Sequence, residues 1–183
     1  MSDGKTRCPW GDCDDALLRD YHDTQWGKPC RDERTLFEML TLEGAQAGLS
    51  WVTILRKREN YRVAFDHWDI AKISSYGEDK IKELLTNPGI VRNALKVRSV
   101  PINARATLEL GSLSDFVWDY VKGKPIVNRR KRQEDMPAKT ELSDRISRDM
   151  KKLGFKFVGS TIVYSFLQAI GAVNDHVSGC EFG

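Results

Sequence analysis

The sequence predicts an all-α protein. Apolar residues recur at helical spacing along almost the whole of its 183 residues. No stretch alternates polar and apolar residues between hairpin turns, as strands would require. Hydrophobic residues make up 40% of the chain, enough to bury the core of one ordinary domain. The expected organisation is therefore a single domain over residues 1–183.

The spacing predicts helices near 14–25, 33–48, 51–66, 78–86, 90–110, 112–122, 141–153 and 158–172. Asp32 stands where a cap would, with Glu33 in the first turn that follows. The longest irregular piece, about 123–140, is bounded by Gly123, Pro125 and Pro137 and reads as a flexible basic loop. No repeat or low-complexity tract interrupts the pattern. No apolar run approaches ~20 residues, which excludes a membrane-spanning helix. The opening MSDGKTRCPW has neither the apolar core of a secretory signal nor the bias of a transit peptide, so a cytoplasmic location is expected. Four cysteines are too few for a disulfide scaffold of this size.

Net charge is only +3, but it is unevenly spread. The segment from Thr86 to Arg132 carries +7 and the rest of the chain −4. Such an excess suits a polyanion; the plain alternative is a solvated surface with a basic loop.

The two ends share a chemistry. Cys8 precedes His22 by fourteen residues, and Cys180 follows His176 by four. If helical, His176 and Cys180 would project from one face. Two thiolates and two imidazoles would complete a tetrahedral zinc shell, and four protein ligands would make the site structural. Cys13 and Cys30 are rival ligands by spacing, and free thiols with ordinary histidines are the plain alternative.

Glu43 is the most informative single residue. On a helical wheel it falls among Leu36, Leu40, Ala47 and Trp51. An unpaired buried acid is costly, so either an arginine or amide satisfies it, or it floors a pocket whose ligand carries donors or positive charge. Trp10, Tyr21, Trp26, Phe37 and Trp51 crowd the same part of the chain, as core or as walls for a flat heterocycle.

Residues 83–93 read as helix, tight turn, helix. Pro88-Gly89 makes the turn, with Gly89 free to take a conformation closed to other residues. A second helix starting near Ile90 would expose its first amides to an anion, with Arg92 and Lys96 following. This resembles a helix-hairpin-helix over about 78–110, a common grip on the DNA backbone.

These pieces fit one family. The sequence closely resembles the DNA-3-methyladenine glycosylase I family, the constitutive alkylation-repair glycosylases of bacteria. The resemblance is carried by Arg7-Cys8-Pro9-Trp10, Tyr21-His22-Asp23, Leu42-Glu43-Gly44, Gln46-Ala47-Gly48-Leu49-Ser50-Trp51, Gly89-Ile90-Val91-Arg92-Asn93 and Asn174-Asp175-His176-Val177. It covers nearly the whole chain except the basic loop.

The resemblance implies the all-α helix-hairpin-helix DNA glycosylase superfamily fold, and excision of 3-methyladenine from alkylated double-stranded DNA; a single domain favours a monomer, and no membrane contact is expected. It implies one structural zinc held by Cys8, His22, His176 and Cys180. It implies a base pocket of Glu43, Tyr21, Trp51 and Trp10, with Tyr21 and Trp51 sandwiching or flanking the base and Glu43 as the catalytic group. It implies that Gly48 and Leu49 fill the space the extracted nucleotide leaves. Gly89, Arg92 and Lys96 are expected at the DNA. No catalytic aspartate is assigned, since the family lacks the one usual in the superfamily. Leu18 departs from the pattern, because family members often carry a tyrosine there, and the stretch 128–133 matches poorly.

Three other readings remain at this stage: a zinc-stapled DNA-binding module without catalysis, a hydrolase using the metal directly, and a small-molecule binder. Release of free base from methylated DNA separates them from a glycosylase.

Overall fold

The structure is a computed structural model that describes residues 4–183. Its helices are α1 (Ala16–Thr24), α2 (Glu33–Gln46), α3 (Trp51–Ala64), α4 (Ile70–Ser74), α5 (Glu78–Thr86), α6 (Ala94–Leu110), α7 (Leu113–Tyr120), α8 (Glu141–Lys152) and α9 (Ser160–Ala169). Most open on a short polar side chain that accepts from a first-turn amide: Asp15, Asp32, Ser50, Asn93, Ser112 and Thr140 do so for α1, α2, α3, α6, α7 and α8. Glu33 adds a long-range cap. Its carboxylate accepts from the amides of Leu113 and Ser114 at 3.1 and 2.9 Å, at the start of α7.

The mostly helical expectation holds, with three local differences. The short α4 was not anticipated. The supposed loose loop contains β1 (Ile126–Val127), which pairs in parallel with β2 (Val173–Asn174), Ile126 opposite Val173. Two-residue strands are too short for alternation to show in a sequence. And α6 begins at Ala94 rather than near Ile90, because the Asn93 side chain caps it there, accepting from the Lys96 amide at 3.1 Å.

Helix α2 runs through the centre. Every residue from Leu36 to Ala45 is buried. Leu36, Met39 and Leu40 join one apolar cluster with Leu113, Ile146 and Phe166. Phe37, Leu42 and Ala45 join a second with Ile54, Trp68 and Val100. Trp51 packs against both. A helix gripped on all sides is a rigid mount for any polar group it carries.

Candidate functional site

One cavity of about 360 Å³ collects the aromatic and acidic candidates, a volume in the range of small-molecule sites. Trp10 comes from the N-terminal segment, Tyr21 from α1, Glu43 from α2 and Trp51 from the start of α3. Leu18 lines it too, and so takes a wall position. Tyr21 and Trp51 stand 5.3 Å apart between ring centres at 53°, and Trp10 and Tyr21 6.3 Å apart at 47°. These rings are mutually tilted rather than parallel.

Glu43 is 5% exposed, and no described residue hydrogen-bonds or pairs with its carboxyl. Burial alone pushes that carboxyl up to about 8 from an ordinary 4.5, so it is mostly protonated at neutral pH. The Tyr21 hydroxyl and Trp51 Nε1 are also buried without partners. Burial, then the nearby Glu43, raises the Tyr21 phenol. Each such group costs about 1–3 kcal/mol to leave unsatisfied. Three of them around one cavity make a site that a polar, flat ligand would complete.

Glu43 does not stand on an apolar stripe as its wheel position suggests. Helix α2 has no single apolar stripe, since it is buried all round, and Ala47 is exposed. Burial therefore does not single out Glu43. Glu38, on the same helix, is buried as well, but Arg58 Nε donates to it at 2.8 Å and Arg62 approaches at 3.3 Å. The arginine partner considered for Glu43 belongs to Glu38 instead.

At the joined ends, the ligand atoms of Cys8, His22, His176 and Cys180 all lie within 4.8 Å of one another. Cys13 and Cys30 are outside the group. The helical spacing supposed for His176 and Cys180 is not realised. The chain leaves β2 and turns, with the Cys180 amide donating to Val177 O at 3.0 Å. His22 Nδ1 lies 2.8 Å from Asp23 Oδ1, and His176 Nδ1 2.9 Å from Asn174 Oδ1. These contacts hold Nδ1–H outward and leave each Nε2 for the cluster; His176 Nε2 is buried without a partner. Arg7 in turn forks the Asp23 carboxylate, with contacts of 2.9 and 2.7 Å. Burial keeps both imidazoles neutral, lowering His176 to about 4, and pushes the Cys8 thiol up to about 12. Two sulfurs and two neutral imidazoles in this arrangement fit a tetrahedral zinc, whose charge would reverse the shift at Cys8. Gly11 was a missed signal. A Cβ there would sit 2.4 Å from His22 Cγ.

The hairpin differs from expectation at Gly89, which has no positive φ. The glycine is needed for space, since a Cβ would lie 2.9 Å from that of Asn60 on α3. The Gly89 amide donates to Asn87 Oδ1 and the Val91 amide to the Tyr61 hydroxyl, at 2.8 and 3.1 Å. Arg92 is exposed. Lys96 is engaged within the protein. Its ammonium donates to the carbonyls of Ala45 and Ala47 at 2.8 and 2.6 Å, at the C-terminal end of α2. Beyond that end, Gly48 takes φ +82 and Leu49 is 40% exposed. The basic loop is partly tethered, with Arg130 Nε on Asp175 and Arg132 on Asp135, each at 3.0 Å, while Arg129 and Lys131 are exposed. No helix among the described residues is long and apolar enough to cross a membrane.

Fold and cavity together define a mostly helical protein with an aromatic pocket that has a buried carboxyl in its wall. The profile of the methyladenine glycosylase family matches residues 10–183, and the chain belongs to that family. It is 46% identical over 178 residues to DNA-3-methyladenine glycosylase 1 of Escherichia coli, covering 95% of each chain. It is 44% identical over 179 residues to the DNA-3-methyladenine glycosylase of Haemophilus influenzae, covering 96% of each. A crystal structure of 3-methyladenine DNA glycosylase I superposes with a TM-score of 0.93 at 47% identity, covering 96% of this chain and 98% of the other. A single-residue variant of that enzyme type, in complex with 3-methyladenine, superposes at 0.92 with 36% identity and 96% of each chain covered.

Proposed function

We propose the following reading of the site. The protein is a DNA base-excision repair glycosylase. It hydrolyses the N-glycosidic bond of 3-methyladenine in alkylated DNA, releases the free base and leaves an abasic site. The relatives' names and the bound 3-methyladenine of a neighbouring structure support this activity. The base pocket is the cavity of Trp10, Tyr21, Glu43 and Trp51, and one observation carries that assignment: Glu43 is buried beside the cavity with no protein partner, although an equally buried Glu38 has two arginines.

A purine alkylated at N3 is cationic while joined to its sugar, and its glycosidic bond is already weak. The base departs neutral, so little acid catalysis is needed. The enzyme must extrude the nucleotide, recognise the base and hold it for water. Glu43 is mostly protonated in the free protein at neutral pH. A cationic base draws out the ionised form, so capture of the lesion releases a proton, and unmodified adenine gains no such pairing. The oxocarbenium-like sugar that develops lies among DNA phosphates, which supply stabilising charge.

The substrate is double-stranded DNA, met by a monomer of one domain in the cytoplasm. Helices α5 and α6 with the turn at 87–93 form the helix-hairpin-helix, where Gly89 and Arg92 approach the backbone. Leu49, exposed on the turn that Gly48 permits, enters the gap in the duplex. Cys8, His22, His176 and Cys180 would hold one structural zinc. Four protein ligands would leave such an ion no open position, so these residues would use it only to tie the two ends of the chain together.

The test is single-turnover release of 3-methyladenine from alkylated DNA by Glu43→Gln, read by chromatography. The expected result is a loss of at least about a hundredfold with the fold and melting cooperativity retained. Unchanged release would remove Glu43 from the mechanism.

A further inference from the structure

Of the polar side chains that line the cavity and that the reading above leaves unused, Gln46, Ser50, Ser165 and Gln168, the last is the one held by a buried carboxylate. Gln168, on α9, lines the cavity and is 9% exposed. Its Nε2 donates to Asp175 Oδ2 at 2.7 Å and lies 3.8 Å from Met136 Sδ. A carboxylate only accepts, so this amide cannot be turned round. Both N–H groups are spent on the protein, and Oε1 is the atom left for the cavity.

Asp175 is built to hold that orientation. It is fully buried, and its carboxylate accepts from Asn128 Nδ2 at 2.8 Å, from Arg130 Nε at 3.0 Å and from the Tyr164 hydroxyl, besides Gln168. Four donors from the β1 loop and α9 meet on one acceptor. The part of the basic loop near Arg130 thus serves the pocket wall.

We propose that Gln168 is a specificity-determining residue of the base pocket: its fixed amide oxygen accepts from the exocyclic amino group of a 6-aminopurine and opposes the oxygen of a 6-oxopurine, with Asp175 as its positioning residue. This rests on the base-pocket reading of the cavity. Aromatic walls do not distinguish an amino from an oxo group, because the two have nearly the same size and both ring systems are flat. Glu43 distinguishes them only once it has ionised, because while it carries a proton it can donate to an oxo oxygen as readily as accept from an amine. Gln168 has no such freedom. Facing a 6-oxo group it sets two acceptors against each other in a dry pocket, the kind of mismatch that discriminates strongly.

The experiment compares single-turnover release of 3-methyladenine and 3-methylguanine from methylated DNA by the unaltered protein and by Gln168→Met. The variant keeps length and apolar volume but has no amide. The ratio of the two rates is expected to narrow by at least about tenfold, mainly through slower release of 3-methyladenine. An equal fall in both rates, leaving the ratio unchanged, would make Gln168 a purely structural residue and overturn the proposal. Should Gln168→Met not fold, the unaltered protein at pH 6 decides, where Glu43 is protonated. Free 3-methyladenine is expected to bind there at least about tenfold more tightly than 3-methylhypoxanthine, and equal affinity overturns the proposal. If the unaltered protein binds neither base, it is the pocket assignment itself that fails.

Discussion

The Lys96 ammonium sits 2.6 Å from the carbonyl oxygen of Ala47, the residue that ends helix α2. A second bond, 2.8 Å to Ala45 O, places its charge at the negative end of that helix dipole. Lys96 therefore links the hairpin helix α6 to the helix that carries Glu43 and leads into the Gly48-Leu49 turn. Lys96→Met should destabilise the protein by about 1–2 kcal/mol and slow excision, while leaving the salt dependence of DNA binding unchanged. Arg92→Ala should do the reverse, lowering the slope of log affinity against log salt by about 1 without loss of stability. Titrations of DNA binding over a salt series check both. A reduced slope for Lys96→Met would restore it as a phosphate contact.

Glu43 makes stability fall as pH rises. Its carboxyl is pushed up to about 8 in the folded protein from an ordinary 4.5, so between those values the folded state holds a proton that the unfolded state has lost. The stability this supplies is complete below about 4.5 and disappears as pH climbs through 8. Glu43→Gln lacks the titration. Its stability advantage over the unaltered protein should grow from near zero at pH 4.5 to on the order of 5 kcal/mol above pH 8. Urea denaturation at pH 5 and pH 8.5 measures it, and a difference independent of pH would count against the burial argument.

Zinc removal should empty the base pocket. Tyr21 adjoins His22 in sequence, and the Trp10 ring lies 4.9 Å from the His22 ring. The ligands and two pocket walls thus share short stretches of chain. One equivalent of zinc should accompany the purified protein, and chelation should lower Tm and abolish binding of free 3-methyladenine in parallel. Retained base affinity in the metal-free protein would separate the two sites.

Two glycines should fail for different reasons. Gly89→Ala places a Cβ 2.9 Å from the Asn60 Cβ and 3.0 Å from Asn87 Oδ1, so it should cost about 1–3 kcal/mol and be relieved in part by Asn60→Gly. Gly48→Ala meets nothing within 4 Å but forces a side chain onto φ +82, so it should cost about 1 kcal/mol and respond to no second substitution. Denaturation of the single and double variants distinguishes a clash from a conformational strain.

Much of the fold was legible in local pattern. Helical period and a cap such as Asp32 mark their elements within a few residues, because a helix depends on neighbours three and four positions away. Residue type also suggested a metal site at the two ends but left Cys13 and Cys30 as rivals; the grouping of Cys8, His22, His176 and Cys180 came from the resemblance. The two-residue strands and the true start of α6 were not legible. The first depend on pairing across 47 residues, Ile126 with Val173, and the second on which of several polar residues caps the helix.

Residue chemistry by itself determined that this is a helical protein with an acid and aromatic rings crowded toward one end, and the resemblance of its motifs carried that to a glycosylase. Tertiary structure alone decided which glutamate stays unpaired, that Lys96 faces a helix end, and that Asp175 pins Gln168 at the cavity. Those outcomes rest on contacts between residues 20 to 51 positions apart, or on the set of a single amide group. Such pairings follow from how buried surfaces pack in three dimensions, and no periodicity along the chain encodes them.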